Sequence, residues 1–157
     1  MKFSANSLKK FVKGACYFET VRGYLISYKY SRAQLDLMNK DGYDEFWRER
    51  GSFSAGIRIE LKTDSSYVAF DYSAHGGTAL SDRSNSVDIW IDGVLYSVLH
   101  LEKSKGSVKI DLPSGEKHVS IYLPCDCQFW VKSFEIDGKY KSVKDKGQRV
   151  LVIGDSI

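Results

Sequence analysis

The sequence is poor in proline, cysteine and histidine. Of its 157 residues two are proline, Pro113 and Pro124, and three are cysteine, Cys16, Cys125 and Cys127. Three cysteines cannot all pair within one chain, which argues against a disulfide framework. A zinc site usually gathers four N or S ligands. The scattered His75, His100 and His118 and a single Cys-x-Cys pair fall short of that set, so Cys125 and Cys127 are expected at a strand edge. No Asp-x-Asp loop of EF-hand form occurs. No metal and no cofactor is therefore expected. No apolar run approaches transmembrane length, and the start, MKFSANSLKKFVKG, lacks an apolar segment of signal-peptide length. As written, the chain is expected to be soluble, cytoplasmic and free of membrane. Strong charge of one sign is missing too. The net charge is +3, with lysines and acids interspersed. The longest basic stretch, Lys9, Lys10 and Lys13, is too thin for the clustered face that nucleic acid requires.

What is present is a soluble globular composition, 43% hydrophobic and 27% charged, in a chain long enough to bury one core. Apolar and polar residues alternate with period two, the pattern of half-buried strands. Cys16 to Val21 and Tyr24 to Tyr30 alternate around Arg22-Gly23 and predict a hairpin. From Ser31 to Arg50 neither period holds, which predicts a long irregular connection with at most one short helical turn. Ile57, Ile59 and Leu61 then share a face, and Tyr67 to Tyr72 returns after a polar turn. Ser73 to Ser86 reads as a loop, with His75, Gly76 and Gly77 in it. Val87, Ile89 and Ile91 alternate with Asp88, Trp90 and Asp92. Asp92-Gly93 is a strong two-residue hairpin turn before Val94 to Leu101. Val108 to Leu112, Val119 to Leu123 and Phe129 to Ile136 complete the series. Strands at this spacing predict an all-β fold, an antiparallel sandwich or jelly roll of about 8–10 strands.

The tail breaks this rhythm. Ser142 to Gln148 is polar and lysine-rich, like a linker. Val150-Leu151-Val152-Ile153 is apolar throughout, as a strand buried on both faces of a parallel sheet would be. Gly154-Asp155-Ser156-Ile157 follows. A strand running into Gly-Asp-Ser-Ile resembles the first motif block of the SGNH/GDSL hydrolases. Three upstream stretches are similar to the β-sandwich that precedes the catalytic domain in carbohydrate esterase family 2: Gly56 to Ser65, Val87 to Gly93, and Leu112 to Lys117.

The resemblance implies residues 1–140 as a sandwich accessory domain, 141–149 as linker, and 150–157 as the first strand and nucleophile block of a missing flavodoxin-like α/β domain. It implies Ser156 as the nucleophile of a longer parent, with its backbone N–H as an oxyanion donor and Gly154 and Asp155 completing the block. The other expected blocks, a glycine, an asparagine and an Asp-x-x-His that supplies the base, have no counterpart after Ser156. A serine hydroxyl is a weak nucleophile until a base takes its proton, so the chain alone is expected to be inactive. The implied partners are the missing catalytic domain and an acylated carbohydrate or small ester. Trp90 alternates with Ile89 and Ile91, and so is the aromatic expected to face outward and touch a ligand. The alternative is a free-standing carbohydrate-binding or interaction sandwich.

Overall fold

A computed structural model describes residues 1–40, 42, 44–77 and 86–144. The apolar run at 150–153 and the block Gly154, Asp155 and Ser156 lie outside these residues. The chain forms an antiparallel β-sandwich of two sheets. The first sheet runs β3 (Tyr17–Val21), β4 (Tyr24–Tyr28), β11 (Gln128–Ile136), β6 (Tyr67–His75), β9 (Lys105–Asp111), and β1 (Lys2–Phe3) also pairs with β11. The second runs β12 (Tyr140–Ser142), β5 (Arg58–Thr63), β10 (Lys117–Tyr122), β7 (Ser86–Ile91), β8 (Val94–His100), and β2 (Val12–Lys13) also pairs with β5. The helices are α1 (Ala5–Leu8), α2 (Arg32–Met38) and α3 (Glu45–Gly51).

Side chains alternate across a strand, so each sheet turns one set inward. Val68, Phe70, Tyr72 and Ala74 of β6 meet Ile59 and Leu61 of β5, Ile89 of β7, and Val119 and Ile121 of β10 in a single buried cluster. In β11 the inward set changes parity. Phe129 and Val131 are inward, and so are Phe134 and Ile136, because the register slips between Lys132 and Glu135. Ser133 absorbs the extra residue at φ 53°. Such a bulge keeps both halves of a long strand on the core. Both dipeptides expected to turn hairpins do so with left-handed backbone, Arg22-Gly23 at φ 50° and 80° and Asp92-Gly93 at φ 51° and 83°. These are the positive values that a two-residue turn between twisted strands requires.

The irregular connection expected at 31–50 contains two helices. Ser31 caps α2 in a capping box with Gln34, and Asp44 caps α3 through the Phe46 N–H at 2.8 Å. Each cap satisfies backbone donors that the first helical turn leaves unpaired. Seven-residue helices carry too few turns for their period to show in the sequence.

Strand direction gives the sandwich two unlike ends. The connections β5–β6, β7–β8, β9–β10 and β11–β12 are tight turns at one end. The ends of β4, β6, β8 and β10 and the starts of β5, β7, β9 and β11 lie at the other, the loop end. β12 runs antiparallel to β5, from Tyr140 opposite Thr63 to Ser142 opposite Leu61. It therefore points toward the loop end.

Candidate functional site

Trp90 faces outward from the second sheet, as its alternation predicts. It is half-buried, pairs across the strands with Ser120, and lies 6.2 Å from the Tyr122 ring. Beside it on the same face, Glu60 is buried at 5% exposure yet fully engaged. Its Oε2 accepts from Arg58 Nε at 3.1 Å, and its Oε1 lies 2.7 Å from His118 Nε2. Asp92 is used by the hairpin, where its Oδ1 accepts the His118 N–H at 2.9 Å. This face is an aromatic pair next to a satisfied ion cluster.

The outer face of the first sheet is richer toward the loop end. His75 stacks on Trp130 with ring centroids 4.1 Å apart, and its Nε2 is 2.9 Å from Ser73 Oγ. Burial holds the His75 imidazole below its ordinary pKa. Trp130 Nε1 donates to Gln128 Oε1 at 2.8 Å. On the neighbouring strands Tyr17 and Tyr28 both donate to Glu19, each at 3.1 Å, and Arg32 of α2 reaches the same carboxylate at 2.8 Å. Burial, followed by the Glu19 charge, pushes the Tyr28 phenol up to about 12. Glu19, Tyr28 and Arg32, with Arg48, Ser52 and Gln128, border a polar recess of about 280 Å³ between the sheet and the two helices.

A larger recess of about 530 Å³ opens on the other side of α3, between that helix, the end of β4 and the β10–β11 loop. Trp47 lines it, 61% exposed, with the Phe46 ring 5.1 Å away at 90°. Arg50 lies 4.2 Å over the Phe46 ring and holds Asp126 at 3.3 Å. The floor is Phe53, 3% exposed. Its segment is fixed by the Ser54 N–H to the Cys127 carbonyl at 2.9 Å and by the Phe129 N–H to Ser54 Oγ at 2.9 Å. Cys127 is buried, and the apolar surroundings push its thiol up to about 12. It therefore stays a packed thiol. Cys125 is exposed and lines the recess.

Gly77 closes this corner. Its N–H donates to Glu49 Oε1 at 2.7 Å, and its φ is 54°. A Cβ there would sit 2.2 Å from the Asp126 carbonyl and 2.6 Å from the Phe53 ring. Gly77 thus packs on α3 with no room for a side chain at that position.

The sequence pattern singled out Trp90 but not Trp47, Arg50 or Phe53. Their common location depends on where two short helices fold back over the sandwich end. Among the described residues, no helix is long and apolar enough to cross a membrane.

No family model and no curated protein matches the chain. Solved structures do match. The chain superposes on a salicylyl-acyltransferase from a tetracycline biosynthetic pathway with TM-score 0.72 and 22% identity, over 94% of this chain and 42% of that one. A GDSL-like lipase from Bacteroides ovatus gives TM-score 0.65 at 17% identity, over 94% and 44%. An acetyl xylan esterase from the rumen bacterium Butyrivibrio proteoclasticus gives 0.55 at 14%, over 92% and 34%. These likenesses establish the shared sandwich fold. The chain spans less than half the length of each of these three proteins.

Proposed function

We propose that this chain is the non-catalytic front domain of a longer serine ester hydrolase of the SGNH/GDSL type, acting on acyl esters of carbohydrates or on small esters. Residues 1–140 are the sandwich, 141–149 the linker, and 150–157 the first strand and nucleophile block of a downstream α/β domain. Ser156 is the nucleophile there, and its backbone N–H is an oxyanion donor beside Gly154 and Asp155.

One observation carries the reading. Nearly the whole chain matches the fold of a part of each much longer neighbour, and those neighbours are named for acyl-transfer and ester chemistry. The same chain carries an apolar run into Gly-Asp-Ser after its last described strand. Chemistry explains why the sandwich is not itself the enzyme. Acyl transfer needs a base to deprotonate the hydroxyl and fixed donors for the oxyanion. Two of the three histidines of the sandwich are engaged in other contacts: His75 lies against Trp130, and His118 bonds Glu60. Hydrolysis of p-nitrophenyl acetate by this chain is expected to equal that of its Ser156→Ala variant. A rate that depends on Ser156 would contradict the assignment of catalysis to a downstream domain.

A second reading is a glycan-binding sandwich that acts without a catalytic partner. It is favoured by the outward pair Trp90 and Tyr122, an aromatic surface of the kind on which sugar rings stack. Binding of soluble glycan that is lost in Trp90→Ala would select it.

A further inference from the structure

The loop-end recess combines an apolar wall with an excess of positive charge among its described lining residues. Its walls are largely apolar and aromatic, from Tyr30, Met38, Trp47 and Phe53. Into these walls the chain sets two cations, Lys29 and Arg50, against one carboxylate, Asp126. Arg50 is matched with Asp126 at 3.3 Å. Lys29 is half-buried, with its ammonium 5.5 Å over the Tyr30 ring and no carboxylate within ion-pair distance among the described residues. Desolvation pushes its pKa below the ordinary lysine value. A partly desolvated cation beside an apolar wall is stabilised by an anion that brings its own apolar body.

We propose that this recess binds a small apolar carboxylate, aryl or short alkanoyl, with the carboxylate on Lys29 and the body between Trp47 and Phe53. Its volume of about 530 Å³ suits an organic acid of that size. A neutral sugar would leave Lys29 uncompensated and would find few hydroxyl or amide partners on Met38, Phe53 and Ala55. A bare phosphate would leave the apolar wall unused. The site sits at the end toward which β12 points, and it stands on the recess alone, whether or not a catalytic domain follows.

The test is a titration of this chain with benzoate, read by tryptophan fluorescence and by saturation-transfer NMR. Benzamide serves as the neutral analogue of the same shape. Saturable benzoate binding at about millimolar or tighter is expected, with benzamide at least about tenfold weaker. Lys29→Gln is expected to bring benzoate down to the benzamide level. Trp47→Ala is expected to weaken both ligands, and Trp90→Phe neither. Absence of saturation, equal binding of benzoate and benzamide, or displacement of benzoate by xylobiose at equal concentration would each overturn the proposal. The benzoate-to-benzamide ratio on the unaltered chain decides the matter even if Lys29→Gln fails to fold.

Discussion

Asp137 ties two turns together at the hairpin end by accepting hydrogen bonds from Ser65 and Ser66. The Ser65 and Ser66 hydroxyls and the Ser66 N–H at 2.8 Å all point at its carboxylate, and its own N–H returns to Ser65 Oγ at 3.1 Å. The β5–β6 and β11–β12 turns each cross from one sheet to the other, so one side chain joins two of the crossings between the layers of the sandwich.

The serine donors hold the Asp137 carboxyl well below the usual carboxylate range. A depressed native pKa stabilises the fold above the unfolded aspartate value of about 4, and that stability is lost as pH falls through the folded value. Asp137→Asn is therefore expected to lower the urea midpoint at pH 7 and to change it little near the acid limit of folding. Equal loss at both pH values would show that the charge is not what matters.

Phe134 is the centre of the aromatic packing between β11, β6 and β1. It is fully buried, 6.2 Å from Phe70 and 5.9 Å from Phe3. Truncating such a ring removes its transfer free energy and leaves a cavity, together about 3–5 kcal/mol. Phe134→Ala is expected to lose that much in urea denaturation. Ser133→Ala, next to it in the bulge, keeps the positive φ and removes only the hydroxyl that hydrogen-bonds Asp71, so it is expected to cost far less than Phe134→Ala.

The sandwich itself was legible in the sequence because alternation is a local signal. Ile57, Ile59 and Leu61 report their shared face without reference to any partner strand, and Asp92-Gly93 reports its turn from backbone preference alone. The bulge at Ser133 was not legible in the sequence, where Phe129 to Ile136 reads as one uninterrupted strand. The loop end was not legible. Lys29 and Trp47 are eighteen positions apart in the sequence, and both line one recess with Phe53, which depends on α2 and α3 folding back over the sandwich. Periodicity says nothing about such long-range closure. The outward direction of Trp90 could be read, but its partner Tyr122 could not, since that contact depends on the order β10-β7 within the sheet.

At the Asp92-Gly93 turn both residues adopt positive φ, and a Cβ added at Gly93 meets nothing within 4 Å. Space is therefore not the constraint, and the expected effect of Gly93→Ala is backbone strain of about 1–2 kcal/mol. The measurement is the chemical midpoint of unfolding. A Gly93→Asn variant should recover part of the loss, because asparagine tolerates the left-handed region better than alanine.

The phenol of Tyr28 should titrate late. Burial is the main cause and Glu19 the second, so Glu19→Gln is expected to lower its pKa from about 12 only part of the way toward 10. Tyrosine Cζ shifts in NMR, with Tyr28→Phe for assignment, read this directly. A return all the way to 10 in Glu19→Gln would reverse the ranking of burial and charge.

Gly77→Ala is expected to disturb the loop end selectively, since its new Cβ would meet the Asp126 carbonyl and the Phe53 ring. The Glu49 contact should be lost, and amide exchange at α3 should rise while the core strands stay protected. Unchanged exchange at α3 would mean that Gly77 does not support that helix.

The most direct test of the central claim is the coding DNA beyond codon 157. The expected result is an open frame of roughly one further domain that carries the missing glycine, the asparagine and an Asp-x-x-His, making Ser156 the nucleophile of a downstream SGNH-type domain. A stop codon at that position, or a downstream frame without these residues, would contradict the account and leave the glycan-binding reading in its place.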